Sequence, residues 1–316
     1  MTATATATQE RERSSPGVVA RSGGLSERAR KERRLGWMLS APAVVVMLLV
    51  TAYPMADAVY LSLFNYRLTD PSNRSFLGLR NYWVILTDHL WWQDVSTTLI
   101  ITVVTVAVEL VIGFVFALVM HRIVGGRRTI RTAILLPYGI ITVVSAYAWR
   151  YAFETDSGFV NSWFHLGTFN WFGHRWSSLV VVCLSEVWKT TPFIALLLLA
   201  GLSQVPDVLL EAASVDGATA WQRLRKVTLP NMKASIMVAA LFRSLAAWAI
   251  FDNIFIMTAG AQNTESLSFL TYRQSITRVE LGLGSALSVL LFISVVLIAL
   301  LFVKGFRVNL ASVRSD

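Results

Sequence analysis

Residues 95–120 read VSTTLIITVVTVAVELVIGFVFALVM, an apolar run of 26 residues with a single charge, Glu109. A helix needs about 20 apolar residues to cross the hydrocarbon core of a bilayer. The lipid core offers the backbone no other hydrogen-bond partners, so helix is the expected form. Outward from this run lie five more of similar character, at 35–55, 132–149, 177–202, 234–260 and 285–303. The expected fold is an all-α membrane protein with six transmembrane helices. Prolines 42, 137 and 192 fall inside these runs, where neighbouring helices can tolerate the kinks they cause. Composition agrees: 55 % of the 316 residues are hydrophobic and 15 % charged, whereas a soluble domain carries roughly 25 % charged residues. A mean hydropathy of +0.56 points the same way. These figures exclude a disordered protein, a disulfide scaffold and an ordinary soluble enzyme. The lone cysteine, Cys183, lies inside the fourth run, which rules out a disulfide framework or a cysteine metal cluster.

The net charge of +9 is topological. Nineteen lysines and arginines fall in the N-terminal tail, the second and fourth loops and the C-terminal tail, against seven in the other three loops. By the positive-inside rule both termini and those two loops are expected in the cytoplasm of a multi-pass protein of the cell membrane. No nucleic-acid partner is expected. Residues 1–34 are rich in Thr, Ala, Ser, Gly and charge, and are expected to form a disordered cytoplasmic tail ahead of a permease domain at 35–310, with a short tail at 311–316. The first apolar run is too long for a signal-peptide core and reads as an uncleaved anchor. Trp83, Trp91, Trp92, Trp149, Trp163, Trp171 and Trp176 cluster at external loops and span ends, where an interfacial aromatic belt belongs. A docking surface for an external protein is the alternative use of those rings. His89, His121, His165 and His174 are scattered, and no metal site is read from them.

The fourth loop, within 202–233, carries the most specific signal. Pro206-Asp207 can open a short helix, since proline suits the first helical turn and an acid favours the N-terminus. Asp216-Gly217 is a turn signal, with glycine able to close a helix in the left-handed region. A second short helix is expected to follow, with Trp221, Leu224 and Val227 on one side. Two small amphipathic helices of this kind can rest on lipid headgroups or insert into a partner's groove. The residues Glu211-Ala212-Ala213, then Gly217, then Val227-Thr228-Leu229-Pro230 resemble the EAA loop of ABC importer permeases, Glu-Ala-Ala, three residues, Gly, nine residues, Ile-x-Leu-Pro. Every spacing is kept, and Val227 replaces Ile with another β-branched residue. The phrases Phe251-Asp252-Asn253-Ile254-Phe255 and Glu186-Val187-Trp188-Lys189 are similar to the carbohydrate branch, the maltose, glycerol-phosphate and trehalose permeases.

The resemblance implies a type I ABC importer permease fold with cytoplasmic EAA coupling helices. It implies a sugar cargo, such as the disaccharide trehalose. The implied partners are a second permease subunit, two ATPase subunits, an external substrate-binding lipoprotein and the surrounding membrane lipid. Glu211, Ala212, Ala213, Asp216, Gly217, Leu229 and Pro230 would dock the ATPase. No G-x-x-x-x-G-K-[ST] loop occurs, so this chain holds no cofactor of its own, and ATP and Mg belong to the partner ATPases. Position by position, the resemblance also places a solute path at Glu186, Lys189, Thr190, Phe193, Arg243, Ala246, Ala247 and Ile250, with Phe251, Asp252 and Asn253 beyond it. Lys189, Arg243 and Ile250 depart from the maltose pattern, which puts maltose itself in doubt.

Charges within spans are costly and usually face a cavity or a partner. Glu186 and Lys189, three apart on one helix face, can pair with each other or contact solute. Arg243 and Asp252 carry the same two options. An ion-coupled carrier or channel would also use such charges, but it needs no ATPase docking loop. A membrane-embedded enzyme would need a nucleophile–base spacing that Glu186, His165 and Asp252 do not offer. An ABC permease for amino acids, peptides or an anion differs only in cargo.

Overall fold

The structure, a computed structural model, describes residues 27–123 and 126–305. Helix α1 spans Glu27–Leu61 and is followed by a hairpin of β1 (Phe64–Arg67) and β2 (Asp70–Phe76). Next come α2 (Arg80–Thr87), α3 (His89–Arg122), α4 (Arg127–Leu135), α5 (Thr142–Ala152), α6 (Phe159–Trp163) and α7 (Arg175–Leu202). Then follow α8 (Asp207–Val215), α9 (Ala220–Arg223), α10 (Leu229–Asn231), α11 (Lys233–Trp248), α12 (Asp252–Met257), α13 (Leu267–Tyr272) and α14 (Leu281–Gly305). Five segments are long and apolar enough to cross a membrane, and the pair Arg128–Gly139 and Thr142–Ala152 makes a sixth if counted as one bent span.

The chain divides into two units, Met1–Met55 and Ala56–Asp316. The described part of the first is helix, and its large apolar side chains, among them Leu39, Val50 and Tyr53, are exposed. Helix α1 begins at Glu27, inside the stretch expected to be disordered. The expected disorder of residues 1–26 and the short tail at 311–316 lie outside the described residues.

In the second unit α3 and α7 pack along their length, with α11 against both. Gly113 permits that approach, because a Cβ there would stand 2.8 Å from Ile194 Cγ2. One apolar cluster gathers Ile101, Val181, Val182, Ile254 and Met257, and a second gathers Ala117, Met120, Ile194, Leu198 and Met232. Lipid tails are as apolar as these side chains, so within the spans such clusters hold through van der Waals packing rather than through removal from water.

Two expectations about the spans are corrected. The third is not a single helix over 132–149: it turns by 88° between its halves. Pro137 removes one backbone donor, Leu136–Gly139 tightens into a 3₁₀ turn, and Ile140 is extended at φ −79°, ψ 137°. Helix α7, by contrast, continues through Pro192. There the hydroxyls of Thr190 and Thr191 donate to the carbonyls of Glu186 and Val187 at 2.7 and 2.5 Å, and more than half of the span is buried against its neighbours. The fifth span is interrupted between Trp248 and Asp252, with Phe251 at φ −133°, ψ −58°.

The described chain is mostly helical, as expected, with a β-hairpin added between α1 and α2. Strands β1 and β2 pair antiparallel, Phe64 opposite Phe76. Asn81 Nδ2 donates to the Ser62 and Phe64 carbonyls at 2.7 and 3.0 Å, tying the hairpin to α2. Arg67 reaches Glu280 at 2.5 Å, and the Arg74 guanidinium lies 4.4 Å from the Phe64 ring centroid.

Candidate translocation site and coupling segment

At the centre of the second unit, Arg243 on α11 is buried between carboxylates from two other helices. Its Nε donates to Glu109 Oε2 of α3 at 2.5 Å, and its Nη2 donates to Glu186 Oε2 of α7 at 2.7 Å. Asn253 Nδ2, in the first turn of α12, donates to Glu186 Oε1 at 2.6 Å. Thr190 Oγ1 donates to Glu109 Oε1 at 2.7 Å. Charge-assisted bonds of this kind are short and strong, and a buried charge needs them. Of the two options open to Glu186 and Lys189, the mutual pair does not form: Glu186 takes its counter-ion from Arg243, and Lys189 forms no ion pair among the described residues.

Beside the network lies a cavity of 360 Å³ lined by Thr142, Glu186, Lys189, Thr190, Arg243, Ala246, Ala249, Ile250, Phe251 and Asp252. Eight of the eleven sequence-derived path residues are therefore brought together. Phe193 stands apart, stacked on Tyr138 with centroids 5.4 Å apart. Ala247 and Asn253 are buried behind the wall. Glu109, noticed in the sequence only as a charge in a span, holds two wall residues from behind. Phe251 joins Phe255, Phe269 and Tyr272 in an aromatic cluster, its ring 5.3 Å from that of Phe255. A larger cavity of 970 Å³ lies among Trp149, Phe153, Trp163, Trp171 and Trp188 and is almost wholly apolar. Outside the spans, burial pushes the Glu265 carboxyl above its ordinary range, opposed by Arg273 and Arg278. Among the described residues no group of three His, Cys, Asp or Glu could hold a metal ion.

The fourth loop forms the two short helices that its sequence predicts. Pro206 stands at the N-cap position of α8 without a capping bond, and Asp207 lies in the first turn. Gly217 sits at φ +77°, where a side chain would be strained. The Ala218 amide closes the turn by donating to the Ala213 carbonyl at 2.9 Å. Helix α9 opens with a reciprocal capping box, in which Gln222 N donates to Thr219 Oγ1 and Thr219 N to Gln222 Oε1. Arg223 donates to the Ser214 hydroxyl and clips the two helices together. Of Trp221, Leu224 and Val227, expected on one side of the second helix, Leu224 and Val227 are half-buried and Trp221 is exposed. After Arg223 the helix widens into a π-turn at Leu224–Thr228. Glu211, Ala212, Asp216 and Pro230 are exposed, while Ala213 and Leu229 are half-buried. Val215 is 88 % exposed and Trp221 65 %.

Residues 90–310 match the family described as binding-protein-dependent transport system inner membrane component. The chain belongs to this family. It is 50 % identical over 275 residues to the trehalose transport system permease protein SugA of Mycobacterium tuberculosis, covering 87 % of this chain and 89 % of that one. It is 33 % identical to the trehalose/maltose transport system permease protein MalF of Thermococcus litoralis, covering 87 % and 94 %. A bacterial ABC transporter that imports the acidic polysaccharide alginate has a chain of the same fold, with a TM-score of 0.76 at 20 % identity, over 90 % of this chain and all of that one. The chain is thus a multi-pass permease subunit of an ABC importer, with the type I importer fold. It is not an enzyme: ATP hydrolysis belongs to a separate ATPase subunit, and an external binding protein delivers the solute.

Proposed function

We propose that this permease passes a neutral disaccharide, trehalose or a close analogue, into the cytoplasm. The observation that carries the reading is the 360 Å³ cavity between spans four and five. Small-molecule sites occupy roughly 300–1,000 Å³ and combine apolar surface with a few convergent polar groups. Here Phe251, Ile250 and Ala246 offer apolar surface for the C–H face of a sugar ring. Thr190, Lys189 and Asp252 offer donors and acceptors for its hydroxyls. Two carboxylates, Glu186 and Asp252, and two cations, Lys189 and Arg243, line the wall. A balanced set suits an uncharged polyol better than an acidic sugar. The permeases similar to this chain that are named for trehalose support the same cargo.

The wider assembly follows from this reading. A second permease subunit faces this one across the path, two ATPases bring ATP and Mg, and a binding lipoprotein presents sugar from outside. Both termini lie in the cytoplasm. Glu211, Ala212, Ala213, Asp216, Gly217, Leu229 and Pro230 dock the ATPase, and ATPase closure swings the spans between inward- and outward-open states. The test is the full complex in proteoliposomes with its matched binding protein, assayed for uptake of labelled trehalose, maltose, an acidic sugar and an amino acid. Saturable, ATP-dependent trehalose uptake that excess acidic sugar does not inhibit is the expected result. Preference for the acidic sugar or the amino acid would overturn the cargo.

A further inference from the structure

The junction at Arg243 contains one carboxylate more than charge balance needs. Glu186 already serves as a counter-ion, yet Glu109 adds a second buried negative charge that contacts no other cation among the described residues. A buried carboxylate costs several kcal/mol of desolvation unless its bonds repay it. Neutralising Arg243 therefore does not account for Glu109. Its geometry does. Glu109 is fully buried and absent from the cavity wall, but each of its oxygens accepts from a residue on that wall. Oε2 takes Arg243 Nε at 2.5 Å, and Oε1 takes the Thr190 hydroxyl at 2.7 Å.

These two bonds determine what the wall presents. Arg243 is a planar fork of donors. With Nε on Glu109 and Nη2 on Glu186, carboxylates from two helices fix its plane, and Nη1 makes no hydrogen bond among the described residues. The single Thr190 proton is directed inward, to Glu109 and to the Glu186 carbonyl, which leaves the hydroxyl oxygen as an acceptor. We propose that Glu109 is a positioning residue that holds a donor, Arg243 Nη1, beside an acceptor, Thr190 Oγ1, so that the wall grips neighbouring hydroxyls of the passing sugar. The inference rests on the sugar-import reading above. Glu109 itself touches no solute.

The experiment measures trehalose imported per ATP hydrolysed in the full reconstituted complex, normalised to assembled complex, for wild type, Glu109→Gln and Glu109→Asp. A glutamine places an NH2 where one carboxylate oxygen stood, so either Arg243 or Thr190 meets a donor in place of its acceptor. Its ratio should fall at least about fivefold, the size expected when one hydrogen bond that aligns the wall is lost. Aspartate keeps the charge but is one methylene shorter, and its ratio should lie between the two. A purely structural Glu109 would lower yield and leave the ratio at the wild-type value, and that result overturns the proposal. If Glu109→Gln does not assemble, Glu109→Asp decides: a reduced ratio supports positioning, and an unchanged one rejects it. A wild-type complex that imports no trehalose would overturn the cargo instead. The same ratio, measured with the solute it does import, would then judge Glu109.

Discussion

The junction around Arg243 and the loop carrying Glu211 are both charged interruptions of an apolar sequence, and the structure resolves them in opposite ways. At the junction, Glu109, Glu186, Thr190, Arg243 and Asn253 bond to one another across four helices. In the loop, Glu211 is exposed, and so are Val208, Val215 and Trp221, on a turn that its own hydrogen bonds hold rigid. The first region finds its counter-ions within the chain. The second is shaped but unfilled. Charges that find their counter-ions at home specify the subunit's own architecture. Charge and apolar surface exposed on a rigid scaffold specify another molecule.

The largest effect should come from breaking the completed region. Arg243→Met leaves Glu109 and Glu186 as two buried carboxylates without a cation, and removing one member of a buried pair costs about 3–5 kcal/mol. The yield of assembled complex should collapse and its melting temperature should fall. Adding Glu109→Gln and Glu186→Gln to the same chain should restore much of the yield, because no buried charge then remains uncompensated. Normal assembly of Arg243→Met alone would mean that the junction is not what holds α3, α7 and α11 together.

Substitutions in the unfilled region should separate function from stability. At Gly217 nothing among the described residues lies within 4 Å of where a Cβ would stand, so crowding is not at issue, but φ is +77°. Gly217→Val should cost about 1–2 kcal/mol of local strain, and Gly217→Asn less. Both should assemble, with ATPase stimulation by loaded binding protein lost in the valine variant and partly kept in the asparagine one. Glu211→Ala is a milder version. An exposed side chain with no partner here should change stability by less than about 0.5 kcal/mol, yet sugar uptake should fall. Full uptake in both Gly217→Val and Glu211→Ala would remove the contrast between the two regions.

The parts legible in the sequence are those set by local chemistry. Apolar run length gives the spans, Pro206-Asp207 gives the start of α8, and Asp216-Gly217 gives its end. The capping box at Thr219 and Gln222 is written in the sequence as well, at the standard spacing. What local chemistry could not give is the choice among distant partners. Lys189 is three residues from Glu186 on the same helix, but the counter-ion that Glu186 takes is Arg243, on another helix. Nor do prolines declare their effect. Pro192 lies in a helix packed along its length and is carried through. Pro137, followed closely by Gly139 and with less packing, lies where the chain turns by 88°.

The smallest expected change in stability is also the sharpest probe of the boundary between the two kinds of region. Lys189 lies at the edge of the junction, half-buried, facing the cavity with Asp252 and free of any ion pair among the described residues. If it belongs to the solute path, Lys189→Met should leave assembly intact and stability within about 0.5 kcal/mol, since no carboxylate loses its cation. Its effect should appear in selectivity. The wall loses one of its two cations, so residual uptake of an acidic sugar should fall further than that of trehalose. Glu186→Gln should behave differently, lowering yield, because it weakens the bonds to both Arg243 and Asn253. The double variant then decides. Groups that do not interact should give additive changes, to within about 0.5 kcal/mol. Recovery in the double variant of the yield lost by Glu186→Gln would show that Lys189 is bound to Glu186 in the working complex. Lys189 would then belong to the completed region, and solute contact would fall to Thr190, Phe251 and Asp252.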